Sequence, residues 1–246
     1  MKLRSIVALG ALAAGAAYLF RKSKEENQVI HVKEVKRSAA ADETVDRDFS
    51  MEAPVSREVV IATNNKSKVE ELKRMLEPLG FTVFSLKDKK ISVEVEETGE
   101  TFAENALIKA RAIYELVKCP VIADDSGLCV DALGGAPGVY SARYSGEGDK
   151  ANNKKLLAEM EGVTDRAAQF VCVIAYLDEN GSSHTFTGIC HGEVGFEERG
   201  SFGFGYDPLF MIGDRSVAEL TPEEKDAVSH RGDAIRKLVA YLSEQQ

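Results

Sequence analysis

At 246 residues the chain is longer than one typical domain and short for two, so one globular domain with an appendage is expected. Hydrophobic residues at 44% can build a core, and charged residues at 29% can keep it soluble. Of 31 Lys+Arg and 40 Asp+Glu, 10 and 8 lie in residues 1–57, so the acidic surplus falls on the rest and argues against a broad basic surface for nucleic acid. A small anion could still be held by a few focused lysines or through a metal. The cysteines, Cys119, Cys129, Cys172 and Cys190, form no CxxC pair. They fall in or beside apolar runs, which suits reduced buried thiols in a cytosolic compartment.

The first element is an apolar run, Ser5–Phe20, with Lys2 and Arg4 before it and Arg21, Lys22 and Lys24 after it. Its 16 residues would rise about 24 Å as a helix, short of a hydrocarbon core but extendable by snorkelling basic flanks. Gly15-Ala16-Ala17 offers a signal-peptide cleavage site as the competing reading. Tyr18, Leu19 and Phe20 continue the apolar run past it. The expectation is an N-terminal apolar helix that contacts the membrane through residues 5–20 as an anchor (1–24). Basic residues predominate after the run, so everything after residue 20 is expected to face the cytoplasm. Residues 25–57 mix charge, Ala, Ser and Thr without period and read as a flexible tether.

The domain, 58–246, opens with a strand at Glu58–Ala62. This strand runs into Thr63-Asn64-Asn65-Lys66-Ser67-Lys68 and then a helix marked by Val69, Leu72, Met75 and Leu76. Strand, polar loop and helix form a layout that receives phosphate at a helix N-terminus, and equally an ordinary connection with an Asn cap. Phe81–Phe84 reads as a second strand. An acidic stretch with Glu96 and Glu97 follows, then a helix capped by Thr101 and Glu104, with Phe102, Ala106, Ala110, Ile113 and Val117 on one face. The capping box accounts for Glu104, and Lys109 reads as a surface charge before it reads as a phosphate ligand.

Val121-Ile122-Ala123 is a buried strand expected to stop at Asp124-Asp125-Ser126-Gly127, delivering carboxylates to a cleft or forming a simple turn. A Gly- and Pro-rich loop covers Asp131–Arg143, and a short helix is expected over 151–160. Phe170–Leu177 and Thr185–Cys190 pair as a hairpin across Asn180-Gly181. Ser201–Pro208 alternates Gly with aromatics. Thr221, Pro222 and Glu224 cap a helix, and Ser229-His230-Arg231-Gly232 precedes a last amphipathic one.

Six stretches in this order closely resemble the inosine triphosphate pyrophosphatase family. They are Ala62–Lys68, Glu96–Ala106, Ile122–Gly127, Leu133–Tyr144, Gly203–Pro208 and Glu219–Gly232, and they span nearly all of 58–246. Residues 1–57 have no counterpart in the usual family pattern. The resemblance implies an α/β fold: an elongated, mixed, twisted sheet flanked by helices, with a central nucleotide-binding cleft. The resemblance further implies Mg²⁺-dependent hydrolysis of ITP, dITP and XTP to the monophosphate and pyrophosphate, by a homodimer.

Carried onto this sequence, Asp125 is the general base and a metal contact. Glu96 is the second metal ligand by family position, with Glu97 as the alternative. Thr63, Asn64, Asn65, Lys66, Ser67, Lys68 and Ser126 hold the phosphates. Phe204, Gly205, Tyr206 and Asp207 form the base pocket with Lys225 and His230, Tyr206 being available to stack. Arg231 can donate to the purine O6/N7 edge, where adenine would present a donor instead. Two rivals stand beside this reading: a pyrophosphatase for pyrimidine or other modified nucleotides, and a membrane-tethered nucleotide sensor without turnover.

Overall fold

The computed structural model describes residues 57–244. The expected anchor (1–24, with its helix over Ser5–Phe20) and tether (25–57) lie outside the described residues apart from three short backbone segments, Leu9–Leu12, Ala16–Leu19 and Val32–Lys36. Among the described residues no helix is long and apolar enough to cross a membrane.

The domain begins with β1 (Arg57–Ile61), α1 (Lys66–Leu76) and β2 (Phe81–Ser85). Next come β3 (Ser92–Val95), α2 (Phe102–Val117), β4 (Val121–Val130) and α3 (Asp149–Glu159). The hairpin β5 (Ala167–Leu177) and β6 (Ser183–Val194) follows, then β7 (Phe210–Ile212) and β8 (Arg215–Ser216). Two helices, α4 (Pro222–Val228) and α5 (His230–Glu244), close the chain. One seven-stranded sheet in the order β8-β7-β6-β5-β4-β1-β2 runs through the molecule. β4, β1 and β2 pair in parallel, and every pairing from β4 outward to β8 is antiparallel. The sheet is therefore mixed, as the α/β reading expected.

Local chemistry sets the helix starts. Asn65 accepts the Lys68 N–H at 3.2 Å, and the Thr101–Glu104 and Thr221–Glu224 capping boxes are both complete. Glu104 and Glu224 are thus spent on backbone donors, as their spacing predicts. Helices cover both faces of the sheet. On one face α1 and α5 pack Leu72, Leu76, Ile235 and Leu238 against Val59, Ile61, Ile122 and Ile174. On the other, α2 packs Ala106, Ala110 and Ile113 against Val60, Val121, Ala123 and Val173. Because Val59, Val60 and Ile61 are all buried, β1 reads as continuously apolar, as a strand covered on both faces must. Each of these larger side chains contributes about 1.5–3 kcal/mol of burial.

Three expectations change here. β4 does not stop at Asp124; it continues to Val130, because β5 pairs with it over ten consecutive positions from Val121↔Leu177 to Val130↔Ala168. What stops is β1, whose last pairing with β4 is Ile61↔Ile122. The cleft opens where β1 leaves the sheet, at the carboxyl end of a parallel strand, and the two aspartates lie two and three residues past Ile122, the last β4 residue paired with β1. The hairpin strands are also longer than their apolar cores, pairing from Ala167↔Glu193 to Leu177↔Ser183, and Asp178 closes the turn by accepting from the Asn180 and Ser182 N–H groups at 2.9 and 2.8 Å. All four cysteines are free, but only Cys172 and Cys190 are buried; Cys119 and Cys129 are half-buried.

Gly188 on β6 fixes where α5 begins. A Cβ there would collide with the carbonyl of His230 and the backbone nitrogen of Ala234, so only glycine lets the helix start lie directly on the strand. That contact places His230 and Arg231 over the middle of the sheet.

Candidate active site

Successive strand residues face opposite sides of a sheet, so neighbours Asp124 and Asp125 enter different surroundings. Asp124 points to the α1/α5 face, where Lys68 Nζ lies at 2.9 Å and Arg231 Nη2 at 3.0 Å. Burial alone would raise the pKa of Asp124, but Lys68, Arg231 and Lys109 outweigh it and hold the carboxyl well below the usual range. Asp125 points to the α2 face, where Lys109 Nζ lies 3.1 Å from Oδ1 and also 3.0 Å from Glu97 Oε1. Here burial dominates and raises the pKa of Asp125, with Lys109 opposing and Glu97 adding to the rise. One aspartate is a fixed anion, and its neighbour is the more basic carboxylate.

Asp125 lines a cleft of about 400 Å³, a size that suits a small ligand. Thr63, Asn64, Asn65, Lys68 and Ser126 line it together with Phe204, Gly205, Tyr206, Asp207, Lys225, His230 and Arg231. Thr63 Oγ1 accepts the Asn65 N–H at 3.2 Å, and Asn64 is tied to the Val93 carbonyl at 3.0 Å, so the loop before α1 is braced. Lys66 and Ser67 do not line the cleft: α1 has already begun, and its turn carries Lys66 outward to solvent. Only their backbone remains at the helix N-terminus.

A chain of buried charges runs beneath this lining. Arg231 pairs with Asp124 and with Glu71, and donates to Ser126 Oγ at 3.1 Å. Glu71 also takes Lys225 at 2.8 Å, and Lys225 reaches Asp207 at 2.6 Å. Asp207 in turn accepts the Phe204 N–H at 2.8 Å. Burial raises the pKa of Asp207 against the pull of Lys225. For Glu71 burial also works upward, but Arg231 and Lys225 prevail and lower it. Four hydrogen bonds therefore commit most of the guanidinium of Arg231, which is 1% exposed and forms the floor of the cleft.

The aromatic wall also differs from expectation. Tyr206 is not available to stack, because its ring is buried in the core and its hydroxyl donates to the Ser141 carbonyl at 2.9 Å. Phe204 is the half-exposed ring, with Lys225 Nζ 4.7 Å from its centroid. Gly205 is pinned by Asp149 and Asn153 of α3 at 3.0 and 3.2 Å. His230 is buried and stacked on Phe170, with centroids 4.7 Å apart.

Of the two candidate metal carboxylates, Glu97 lines the cleft and Glu96 does not; the chain alternates past β3, leaving Glu96 exposed. Glu97 therefore replaces Glu96 beside Asp125. Asp125 Oδ2 is buried without a hydrogen-bond partner, which leaves an acceptor open to a cation. Among the described residues no group of three or more His, Cys, Asp or Glu could hold a metal unaided. Two carboxylates plus substrate oxygens suit Mg²⁺, a hard ion that commonly binds in this way.

Glu71 was not expected in this constellation, and Lys109, read first as a surface charge and second as a phosphate ligand, is instead buried against two carboxylates. Lys109 lies on the polar side of its helix, and only tertiary packing turns that side toward the cleft. Glu71 had a usable signal: it follows Lys68 by three residues and so shares its helix face, adjoining the stripe of Leu72 and Leu76.

A family model described as the Ham1 family matches residues 59–241. The dITP/XTP pyrophosphatase of Bacillus licheniformis is 52% identical over 194 residues, which is 76% of this chain and 99% of that protein. The enzyme of the same description from Bacillus subtilis is 48% identical, over 76% and 98%. Among solved structures, the Staphylococcus aureus Ham1 protein superposes with a TM-score of 0.70 at 43% identity, covering 77% of this chain and all of that one. The nucleoside-triphosphatase (dITP/XTP pyrophosphatase) of Mycobacterium abscessus gives 0.61 at 45% identity, covering 74% and 98%. The match over the whole domain, with the motifs now gathered around one cleft, places the chain in the Ham1 family, the inosine triphosphate pyrophosphatase family its sequence resembles.

Proposed function

We propose that the chain hydrolyses ITP, dITP and XTP to the monophosphate and pyrophosphate, cleansing the nucleotide pool. The observation that carries this reading is Asp125: a buried carboxylate with one oxygen unpartnered, facing the same cleft as the Lys68 loop and Phe204. Asp125 accepts the proton of the attacking water, a task its raised pKa favours. Lys68, Ser126 and the N-terminus of α1 receive the phosphates, and Phe204 offers its face to the base. Arg231 directs its remaining donor capacity toward the purine O6, an acceptor that adenine replaces with an amino donor. When bound, Mg²⁺ would neutralise triphosphate charge and acidify the attacking water, and Glu97 and Asp125 would hold it. The homodimer belongs to the same proposal, and sedimentation measures it directly.

Pyrophosphate release from ITP, dITP, XTP, GTP, ATP and dTTP, with wild type and Asp125→Asn, tests the reading. The first three substrates are expected to turn over fastest, and the variant to lose at least about 100-fold. Full turnover by Asp125→Asn would remove the base, equal turnover of GTP would remove the selectivity, and faster dTTP would favour the pyrimidine rival. Binding of ITP without any release would favour the sensor.

A further inference from the structure

Glu97 and Asp125 approach each other in a largely buried site, and the ammonium of Lys109 bridges them at 3.0 and 3.1 Å. The Lys109 side chain is only 12% exposed, so this is a built contact and not a surface pairing. Two carboxylates so placed need a cation at all times, because uncompensated buried charge is strongly destabilising. Asp124, the neighbouring acid, is differently served: Lys68 and Arg231 both hold it on the opposite face. We propose that Lys109 is a resident cation standing in for the divalent ion, and that it sets the order of binding. The ion joins Glu97 and Asp125 only together with a triphosphate, which gives the Lys109 ammonium a second partner and draws it away.

This proposal rests on the reading of Glu97 and Asp125 as ion ligands. It follows from simple charge accounting: with Lys109 in place the pair carries one net negative charge, and without it two. A divalent ion meeting the free protein must displace an ammonium for little gain. A ligand can shift such an equilibrium only by its differential affinity, and the polyanionic triphosphate provides that difference. The flexible four-carbon stem of lysine allows the head to move while the stem stays buried.

The test uses the full chain without nucleotide, as wild type, Lys109→Met, Lys109→Gln and Lys109→Met with Glu97→Gln. Thermal melting is followed in EDTA, Mg²⁺ and Mn²⁺, with calorimetric titration of Mg²⁺. Wild type is expected to melt at the same temperature with or without Mg²⁺. Both single variants should melt lower in EDTA, recover with Mg²⁺ or Mn²⁺, and bind Mg²⁺ at least tenfold more tightly than wild type. The double variant should lose the Mg²⁺ response. A lysine with a merely structural role would give a loss that no divalent ion restores, and that result overturns the proposal, as does unchanged Mg²⁺ affinity in both single variants. Mg²⁺-dependent pyrophosphate release by wild type, measured alongside, separates failure of this inference from failure of the proposed function.

Discussion

His230 lies nearly flat on Phe170, its ring inclined by 15°, and is buried among apolar and cationic neighbours. Burial, then Arg231 and Lys225, holds its pKa well below 6.5, so the folded protein keeps the imidazole neutral. The unfolded chain takes up a proton as pH falls below 6.5, and folding loses that much stability; above 6.5 the contribution is complete. Urea melts at pH 7.5 and 5.5 should show about 1 kcal/mol lost by wild type from this group and none by His230→Gln. An equal loss in both would clear His230 of the effect. The same burial explains why residue roles were the least legible part of the sequence. Asp125, Lys68 and Phe204 sit in motifs whose spacing points at a cleft. The placing of Lys109, the commitment of the Arg231 guanidinium and the loss of Tyr206 to the core all depend on which face of a helix or loop meets another element, and no local pattern records that.

Elements were more legible where their causes are local. Capping boxes span four residues, so the starts of α2 and α4 could be read directly. The length of β4 could not, because the partner that extends it, β5, is about fifty residues away in the chain and its pairing outweighs the polar break at Asp124-Asp125. The contact of Gly188 with α5 is nonlocal in the same way, and it gives an element-scale prediction. Gly188→Ala should lift the start of α5 from the sheet and cost about 1–3 kcal/mol in chemical denaturation. It should also raise KM for ITP, because His230 and Arg231 ride on that turn. A variant as stable as wild type with unchanged KM would show that the helix start is not held by this contact.

At the scale of the molecule, the relatives cover about three quarters of this chain and nearly all of their own length, so the matched domain has the full extent of those proteins. A chain truncated to 57–246 is therefore expected to fold and to retain pyrophosphate release within about twofold of the full chain. Fractionation of both forms reads the part played by Ser5–Phe20: membrane association of the full chain alone would assign it to that run, and identical partitioning would end the anchor idea. The mixed sheet, its flanking helices and its cleft were legible through the family resemblance carried by six ordered motifs, while local patterns showed only the individual strands and helices. The point at which the cleft opens was not, since it depends on where β1 ends and not on where β4 does.

The ten-position pairing of β4 with β5 has one more consequence. Because Asp124 and Asp125 occupy opposite faces, a slip of one residue between these strands would not simply misplace the two acids; it would turn each of them to the other's face. Asp124 would then face α2, away from Lys68 and Arg231, and Asp125 would leave the side of Lys109 and Glu97. Such a molecule could be compact yet inert. A long ladder makes the exchange costly at every rung, so the strand pairing serves as a proofreading device, admitting one of two nearly identical chemical arrangements and discarding the other during folding.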